Sequence, residues 1–172
     1  MRNTSHIGEI SRTQIIAALT LQGKTLLAPL GDFQRYDLVI DDGDKFLRVQ
    51  CKTGRLSKGA IMFNPCSIDS RSKQGGCIRK RYDENEIDLF GVYCPDNHTC
   101  YLVPVTDAAR TGCSLRVEAP RNGQQTRIRW AGDYEIKTEV ELRGIEPLTS
   151  RMPFWRAPNC ATAPTGSQPQ IT

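Results

Sequence analysis

Two short segments on either side of an Asp-Gly step constrain the fold more than any other feature of the sequence. In Lys45–Lys52 apolar and polar residues alternate, so Gln50 and Lys52 point to the same polar face of a predicted strand. In Tyr36–Ile40 the apolar residues Tyr36, Leu38 and Ile40 also alternate, so Asp37 points to the opposite face of that segment. An Asp-Gly step between two such segments is a strong signal for a β-hairpin. The sequence therefore predicts two antiparallel strands, each with one polar side.

The length of the hairpin loop decides whether the two polar sides coincide. An even number of loop residues places Asp37 opposite or diagonal to Gln50, on a shared face. An odd number places them on opposite faces, because successive side chains of a strand alternate. The sequence leaves both registers open.

If the faces coincide, Asp37, Gln50 and Lys52 have a definite chemical use. A carboxylate and an amide carbonyl offer oxygen ligands to a hard divalent cation, for which Mg²⁺ is the expected occupant and Mn²⁺ a substitute. The Lys52 ammonium group, on the same face, can orient or help deprotonate an attacking water and balance phosphate charge. This combination predicts hydrolysis of phosphodiester bonds.

The distribution of charge predicts the partner. The formal net charge is only +4, but residues 45 to 81 contain ten Lys and Arg residues against one acid, Asp69. Such a basic stretch can neutralise several phosphates, which favours double-stranded DNA as the ligand. The residues expected to contact DNA are Arg35, Arg48, Arg55, Lys58, Arg71, Lys73, Arg79, Lys80 and Arg81.

The rest of the chain indicates a single domain of mixed α and β structure in residues 1–143. Helical spacing after Ser5 and before Gly23 predicts a first helix. Asp69–Arg81 is expected to be a mobile loop, and Tyr82–Glu86 a short helix. Further strands are predicted at Thr25–Pro29, Ala60–Asn64, Leu89–Cys94 and Cys100–Val105, with a C-terminal hairpin of Leu115–Glu118 and Thr126–Trp130. The Pro-, Ser- and Thr-rich tail, residues 144–172, is expected to be disordered.

Composition also bears on the cellular compartment. There is no run of eighteen apolar residues and no apolar stretch near the start of the chain typical of a secretory signal. The seven cysteines are scattered and odd in number, which favours reduced thiols over a disulfide framework. A cytoplasmic protein without a membrane partner is therefore expected.

The residues around the hairpin resemble a known family. Arg35-Tyr36-Asp37-Leu38-Val39 and Arg48-Val49-Gln50-Cys51-Lys52-Thr53-Gly54 are similar to the motifs of PD-(D/E)XK nucleases, especially the branch associated with homing of group I introns. The similarity covers about residues 5 to 140. It implies a mixed α/β (α+β) restriction-endonuclease-like core, in which a helix precedes a β-meander, followed by a second helix and a further strand.

The resemblance also implies roles for individual residues. Asp37, Gln50 and the Cys51 carbonyl would bind the metal, Glu9 on the first helix would be an auxiliary ligand, and Lys52 would be the catalytic lysine. Many family members carry Asp or Glu where this chain has neutral Gln50, which lowers the charge of the ligand set. The resemblance further implies a symmetric homo-oligomer, a dimer or tetramer.

Other functions fit parts of the sequence. A catalytically inactive DNA-binding module would keep the basic surface, and a Holliday-junction resolvase-like nuclease would share the same core. Cys94, His98 and Cys100 surround a predicted turn and are candidate ligands for a structural zinc ion.

Overall fold

The structure is a computed structural model that describes residues 4–31, 33–69, 78–109, 112–119, 126 and 128–137. The chain divides into two units, Met1–Val140 and Glu141–Thr172. The second unit, which contains the predicted tail, lies outside the described residues.

The first helix, α1, spans Thr4–Leu21. Its buried residues, Ser11, Ile15, Ala18 and Leu19, follow the spacing of one helical face. Gly23, just beyond the last turn, has a φ of 74°, which glycine adopts without strain at the end of a helix. The prediction of a helix ending before Gly23 is confirmed, although Ser5 lies inside the helix rather than capping it.

Antiparallel and parallel strands form the predicted mixed sheet. The order of the five-stranded sheet is β1-β2-β3-β8-β9, in which β3 and β8 are parallel and all other neighbours are antiparallel. A three-stranded sheet has the order β10-β5-β4, and β6 pairs with β7. The strands are β1 (Thr25–Leu27), β2 (Leu38–Asp41), β3 (Phe46–Thr53), β4 (Arg55–Ser57), β5 (Ala60–Phe63), β6 (Cys66–Asp69), β7 (Ile78–Arg81), β8 (Leu89–Cys94), β9 (Thr99–Pro104) and β10 (Cys113–Arg116).

Two apolar clusters define the layers around the five-stranded sheet. One joins α1 to the sheet and includes Ile15, Leu19 and Val49. The other joins the five-stranded to the three-stranded sheet and includes Ile61 and Phe90. The five-stranded sheet is thus the middle layer, and its two faces are buried by different elements.

A glycine lets α1 approach the middle of the sheet closely. A Cβ atom at Gly91, on β8, would lie 3.0 Å from Ile15 Cγ2 and 3.2 Å from Val49 Cγ1. Because side chains rarely tolerate such short contacts, a larger residue at position 91 would push the helix outward. This close packing places the first half of α1 near the end of β3.

The predicted mobile loop Asp69–Arg81 is partly ordered. Its ends belong to an antiparallel pair, β6 and β7, in which Cys66 is opposite Arg81 and Asp69 is opposite Ile78. Residues 70–77 lie outside the described part of the chain. The prediction missed this pair because the segment is too polar for the alternation that marks a half-buried strand.

The predicted short helix Tyr82–Glu86 is wrong, because the segment forms a turn. The Asp83 carboxylate accepts hydrogen bonds from the backbone N–H groups of Asn85 and Glu86, at 2.9 and 3.2 Å. These bonds resemble those of a helix N-cap, and the Ile87 N–H donates to the Asp83 carbonyl at 3.0 Å, but the chain enters β8 after this single turn. Among the described residues, the crossover from β3 to β8 therefore runs through β4–β7 and this turn instead of a second helix.

The predicted C-terminal hairpin is also wrong. Strand β10 pairs with β5, with Leu115 opposite Ile61. Trp130 makes one isolated parallel bridge with Arg116, and residues 120–125 and 127 lie outside the described residues. The apolar side chains of β10, Cys113 and Leu115, are completely buried in the core shared with β5. Burial against a distant strand therefore outweighed pairing with a neighbour in sequence.

Within the part of the chain that the structure describes, no helix has both the length and the apolar character required to cross a membrane.

Candidate active site

The β2–β3 hairpin places Asp37 directly before its first paired residues. Leu38 is opposite Val49, and Asp41 is opposite Phe46, so four residues separate the last pair. This even number continues the register backwards to Asp37, whose backbone N–H donates to the Val49 carbonyl at 2.9 Å. Asp37 and Gln50 therefore lie on the same face of the sheet. The sequence alone had left this register undecided.

Hydrogen bonds join Asp37 to both of its neighbours on β3. Asp37 Oδ2 accepts from Gln50 Nε2 at 2.6 Å and from the Cys51 backbone N–H at 2.7 Å. Gln50 Nε2 also lies 3.4 Å from the Cys51 carbonyl oxygen. The partly positive amide group of Gln50 thus stands between a carboxylate oxygen and a main-chain carbonyl oxygen.

This arrangement fits a hard divalent cation. Two of the three proposed ligand oxygens, those of Asp37 and Cys51, already face one position, and the Gln50 amide can exchange its nitrogen for its oxygen by rotating about its last side-chain bond. Magnesium takes few protein ligands and keeps several waters, so one carboxylate, one amide oxygen and one carbonyl form a sufficient set.

The electrostatics of Asp37 also favour a cation. Burial raises the pKa of the Asp37 carboxyl group, while the Cys51 N–H and the positive charges of Lys52 and Arg12 oppose this increase. A carboxylate that is costly to ionise in the folded protein gains from a bound metal, because the cation replaces the lost hydration. Burial likewise raises the pKa of the Cys51 thiol, which disfavours sulfur as a metal ligand and leaves the carbonyl as the group of Cys51 that could bind a cation.

Lys52 lies two residues beyond Gln50 and on the same face of β3. Its ammonium group donates to the Cys66 carbonyl oxygen at 3.1 Å and lies 4.9 Å from the centre of the Tyr82 ring. Burial lowers the pKa of Lys52, and the charge of Asp37 partly offsets that decrease. A lysine with a lowered pKa loses its proton more readily than one in water, so its neutral form is more accessible for general-base catalysis.

Glu9 is exposed on α1, and its negative charge contributes to the raised pKa of Asp37, so it lies on the side of α1 near the site. Its side chain has no direct contact with Asp37 among the described residues. In the same part of the chain, no group of three or more His, Cys, Asp or Glu side chains gathers as a metal site. The role of Glu9 as an auxiliary ligand therefore stays a prediction.

Arg12 is a site residue that the sequence analysis missed. Its positive charge lowers the pKa of both Asp37 and Cys51, and its Nε atom is buried without a hydrogen-bond acceptor among the described residues. The adjacent Ser11 hydroxyl lies 2.7 Å from that of Thr53, the residue after Lys52, which fixes this turn of the helix against β3. The sequence contained one signal for this role: Arg12 lies three residues after Glu9, about one helical turn away on the same face of the helix.

Arg48, a predicted DNA contact, is engaged within the protein. Its guanidinium forms an ion pair with Asp88 at 3.0 Å and also donates to the Glu84 and Asn85 carbonyl oxygens. These bonds, with a second one to Asp88, occupy most of its donors. Arg48 thus fixes the turn before β8, and its contact with DNA, which would compete with these bonds, stays a prediction.

Arg35 is also engaged within the protein. It donates to Ser67 Oγ at 2.7 Å, to the Arg81 carbonyl at 2.7 Å and to Glu86 at 2.9 Å, and its guanidinium lies 4.0 Å from the Tyr82 ring centre. Its Nε atom is buried without a partner among the described residues. Arg35 therefore links β6, β7 and the following turn beside the site, and its Nε–H is a donor that these bonds leave unused.

The remaining predicted DNA contacts fall into two groups. Arg55, Lys58, Arg79, Lys80 and Arg81 are exposed, and Lys80 forms an ion pair with Glu86 at 2.9 Å. Arg71 and Lys73 lie outside the described residues.

The zinc interpretation of Cys94, His98 and Cys100 finds no support in the described part of the chain. No group of potential ligands of the required size forms there. Cys94 and Cys100 are buried at the facing ends of β8 and β9, and His98 Nδ1 lies 3.2 Å from the Tyr93 hydroxyl. These residues belong to the core and to the turn between the two strands.

Comparisons with known proteins identify the family and the fold. The family model for the PD-(D/E)XK endonuclease matches residues 2–137. Among solved structures, a bacterial homing endonuclease, I-Ssp6803I, is similar with a TM-score of 0.61 and 23% sequence identity, over 77% of this chain and 88% of that chain. At this identity the likeness shows the fold. No curated protein matches the chain.

Proposed function

This chain belongs to the PD-(D/E)XK endonuclease family, and we propose that it is a magnesium-dependent endonuclease that hydrolyses phosphodiester bonds of double-stranded DNA. The observation that carries the proposal is the pairing of Asp37 with Gln50 across two strands, with the Cys51 carbonyl oxygen facing the same position. Manganese is expected to substitute, because it prefers the same oxygen ligands.

The chain's own residues have distinct tasks in this reaction. Asp37, the Gln50 amide oxygen and the Cys51 carbonyl would hold Mg²⁺, with Glu9 as an auxiliary ligand. When bound, the ion supplies Lewis-acid chemistry and lowers the pKa of water. Lys52 orients the attacking water and offsets the charge that builds up on the phosphate. Arg12, whose positive charge acts on Asp37 from the helix side of the site, offsets part of the negative charge of the phosphate.

The exposed basic residues supply the sequence-independent part of DNA binding. Arg55 and Lys58 lie on one side of the site, at β4 and the turn after it, and Arg79 and Arg81 lie on β7. Such residues position the duplex through its phosphates and make binding dependent on salt. Arg71 and Lys73 complete this proposed set. Arg35 would reach a phosphate only by giving up some of its present bonds to Ser67, Arg81 and Glu86.

The biological setting is part of the same proposal. The fold is that of a homing endonuclease, which supports a role in the mobility of a genetic element such as a group I intron. One active site cuts one strand, so cutting both strands of a long site favours a symmetric dimer or tetramer. Such a substrate is cellular DNA, which agrees with a cytoplasmic location.

A cleavage assay tests the function directly. We expect the purified chain to nick and linearise a supercoiled plasmid pool with random inserts in Mg²⁺ or Mn²⁺, and EDTA to abolish both products. Sequencing the new ends will give the recognised site. Binding of the pool without cleavage in either metal would instead favour the inactive DNA-binding module, which the hydrogen bond from the Gln50 amide to Asp37 makes the second candidate.

Replacing the neutral amide with a carboxylate should strengthen metal binding. We expect Gln50→Glu to lower the Kd for Mn²⁺ by about tenfold, because a second negative ligand attracts a divalent cation more strongly. In EDTA the same variant should be less stable than the wild type, since two carboxylates then face each other without a cation. Calorimetric titration and thermal unfolding measure the two effects.

The isosteric Gln50→Met variant is the matched control. It keeps the length of the side chain but has no oxygen, so it should bind Mn²⁺ more weakly than the wild type. Equal Mn²⁺ affinity in all three proteins would show that position 50 does not contact the metal.

A further inference from the structure

The surroundings of the Lys52 ammonium group are unusual for a buried cation. Its polar contact is the Cys66 carbonyl oxygen at 3.1 Å, and it forms no ion pair with a carboxylate among the described residues. Its other close neighbour is the Tyr82 ring, whose centre is 4.9 Å away. The negative face of an aromatic ring attracts a cation at this distance, and the attraction is stronger where water is excluded.

The Tyr82 ring is itself held from several directions. It packs edge-on against Phe90, with ring centres 5.6 Å apart and an angle of 86° between the planes. The Arg35 guanidinium lies 4.0 Å from the ring centre and is tied to Glu86 and Ser67. The ring therefore has a defined orientation, which a flexible lysine side chain lacks on its own.

We propose that Tyr82 is a positioning residue for Lys52, whose ammonium group it holds, together with the Cys66 carbonyl oxygen, on the face of the sheet that carries Asp37 and Gln50. The inference rests on the proposed catalytic role of Lys52. Four rotatable bonds allow a lysine to reach many positions, and one carbonyl acceptor restricts it only partly. The ring adds a second, non-titrating contact that favours the charged form of the amine.

The ring, rather than the hydroxyl group, carries this role. The Tyr82 hydroxyl interacts with Ser67, and burial raises its pKa, so it is neutral at physiological pH. Tyr82→Phe keeps the ring and removes the hydroxyl, whereas Tyr82→Leu removes the ring. The two variants therefore separate positioning through the ring from any role of the oxygen.

We expect Tyr82→Leu to reduce kcat for DNA cleavage by about 2- to 30-fold, with little change in KM, and to remove the ring-current shift of the Lys52 Hε resonances. Tyr82→Phe should match the wild type in both respects. The shift is measured at a single pH by NMR of protein labelled with ¹³C at the lysine side chains, with Lys52→Met identifying the resonance. Tyr134→Leu is the matched control, because Tyr134 packs against the same core but bonds to Asp107 and should leave Lys52 unchanged.

The outcomes separate this inference from the proposed function. Equal losses of kcat in the Leu and Phe variants, or a Lys52 resonance that Tyr82→Leu does not shift, would overturn the positioning role. A shifted resonance without any effect of Lys52→Met on cleavage would keep the contact but refute the catalytic role of Lys52. If Tyr82→Leu does not fold, pentafluorophenylalanine at position 82 retains the ring's shape and withdraws its negative face, so a similar decrease in kcat relative to Tyr82→Phe is expected.

Discussion

Asp37→Asn is expected to reduce cleavage of DNA in Mg²⁺ by at least about 1,000-fold, which corresponds to about 4 kcal/mol of transition-state stabilisation. Asp37 lies directly before β2, opposite Gln50 of β3, and its Oδ2 atom accepts hydrogen bonds from both the Gln50 side chain and the Cys51 backbone N–H. Asparagine keeps the shape and one acceptor oxygen but removes the charge that binds the cation. Plasmid cleavage with excess enzyme measures the loss.

The same substitution should stabilise the metal-free protein. Burial raises the pKa of Asp37 in the folded state, so folding favours the protonated carboxyl group. The resulting stability is present below the unfolded pKa and is lost as pH rises through the folded pKa. The asparagine side chain of the variant is always neutral and retains this stability. In EDTA at pH 7 the Tm of the variant should therefore exceed that of the wild type by about 3 °C. This difference in Tm should disappear at about pH 3, where the carboxyl group is protonated in both the folded and the unfolded state.

Two results would contradict this view of Asp37. Cleavage by Asp37→Asn at the rate of the wild type would exclude the carboxylate as a metal ligand. A lower Tm of the variant in EDTA would mean that the two hydrogen bonds to Asp37 outweigh the cost of its burial. Mg²⁺ should raise the Tm of the wild type and not that of the variant, because a ligand stabilises only the protein that binds it.

Lys52→Met is the substitution with the second-largest expected effect. We expect kcat to fall by about 100- to 10,000-fold, the range typical for loss of a group that assists proton transfer or stabilises developing charge. Methionine fills a similar volume beside Tyr82, so the fold should persist. Binding of DNA in Ca²⁺, measured by fluorescence anisotropy, should weaken only slightly, because a single positive charge is removed.

Lys24→Met is the control for the loss of one lysine. Lys24 is exposed and pairs with Asp42 in the β2–β3 turn, at 2.7 Å. Its removal should leave both cleavage and binding unchanged. If Lys52→Met loses DNA binding and cleavage to the same extent, Lys52 serves to bind DNA and the catalytic assignment fails.

The alternation of side chains carried most of the information on the candidate site. It placed Gln50 and Lys52 on one polar face and separated Asp37 from the apolar residues of its own segment. The structure has β2 and β3 where these patterns predict strands, with shifts of one or two residues at their ends. Such patterns are reliable because each residue's face depends only on the local backbone geometry.

Predictions of local structure failed where the deciding partner is distant in sequence. Strand β10 was expected to pair within a local hairpin, but it pairs with β5. Tyr82–Glu86 was expected to be a helix, but the chain makes one turn there and then enters β8, which pairs with β3. The ion pair of Arg48 with Asp88, forty residues away, was likewise not predicted. Neither alternation nor composition contains information on these contacts.

The sequence by itself determined the type of the site: a carboxylate, an amide and a lysine on two neighbouring strands joined by a tight turn. Only the tertiary structure decided the register that aligns Asp37 with Gln50, the approach of Arg12 from α1 and the contact of Lys52 with Tyr82. The division has a physical reason. The face on which a side chain lies follows from local geometry, whereas its neighbours follow from the packing of the whole chain.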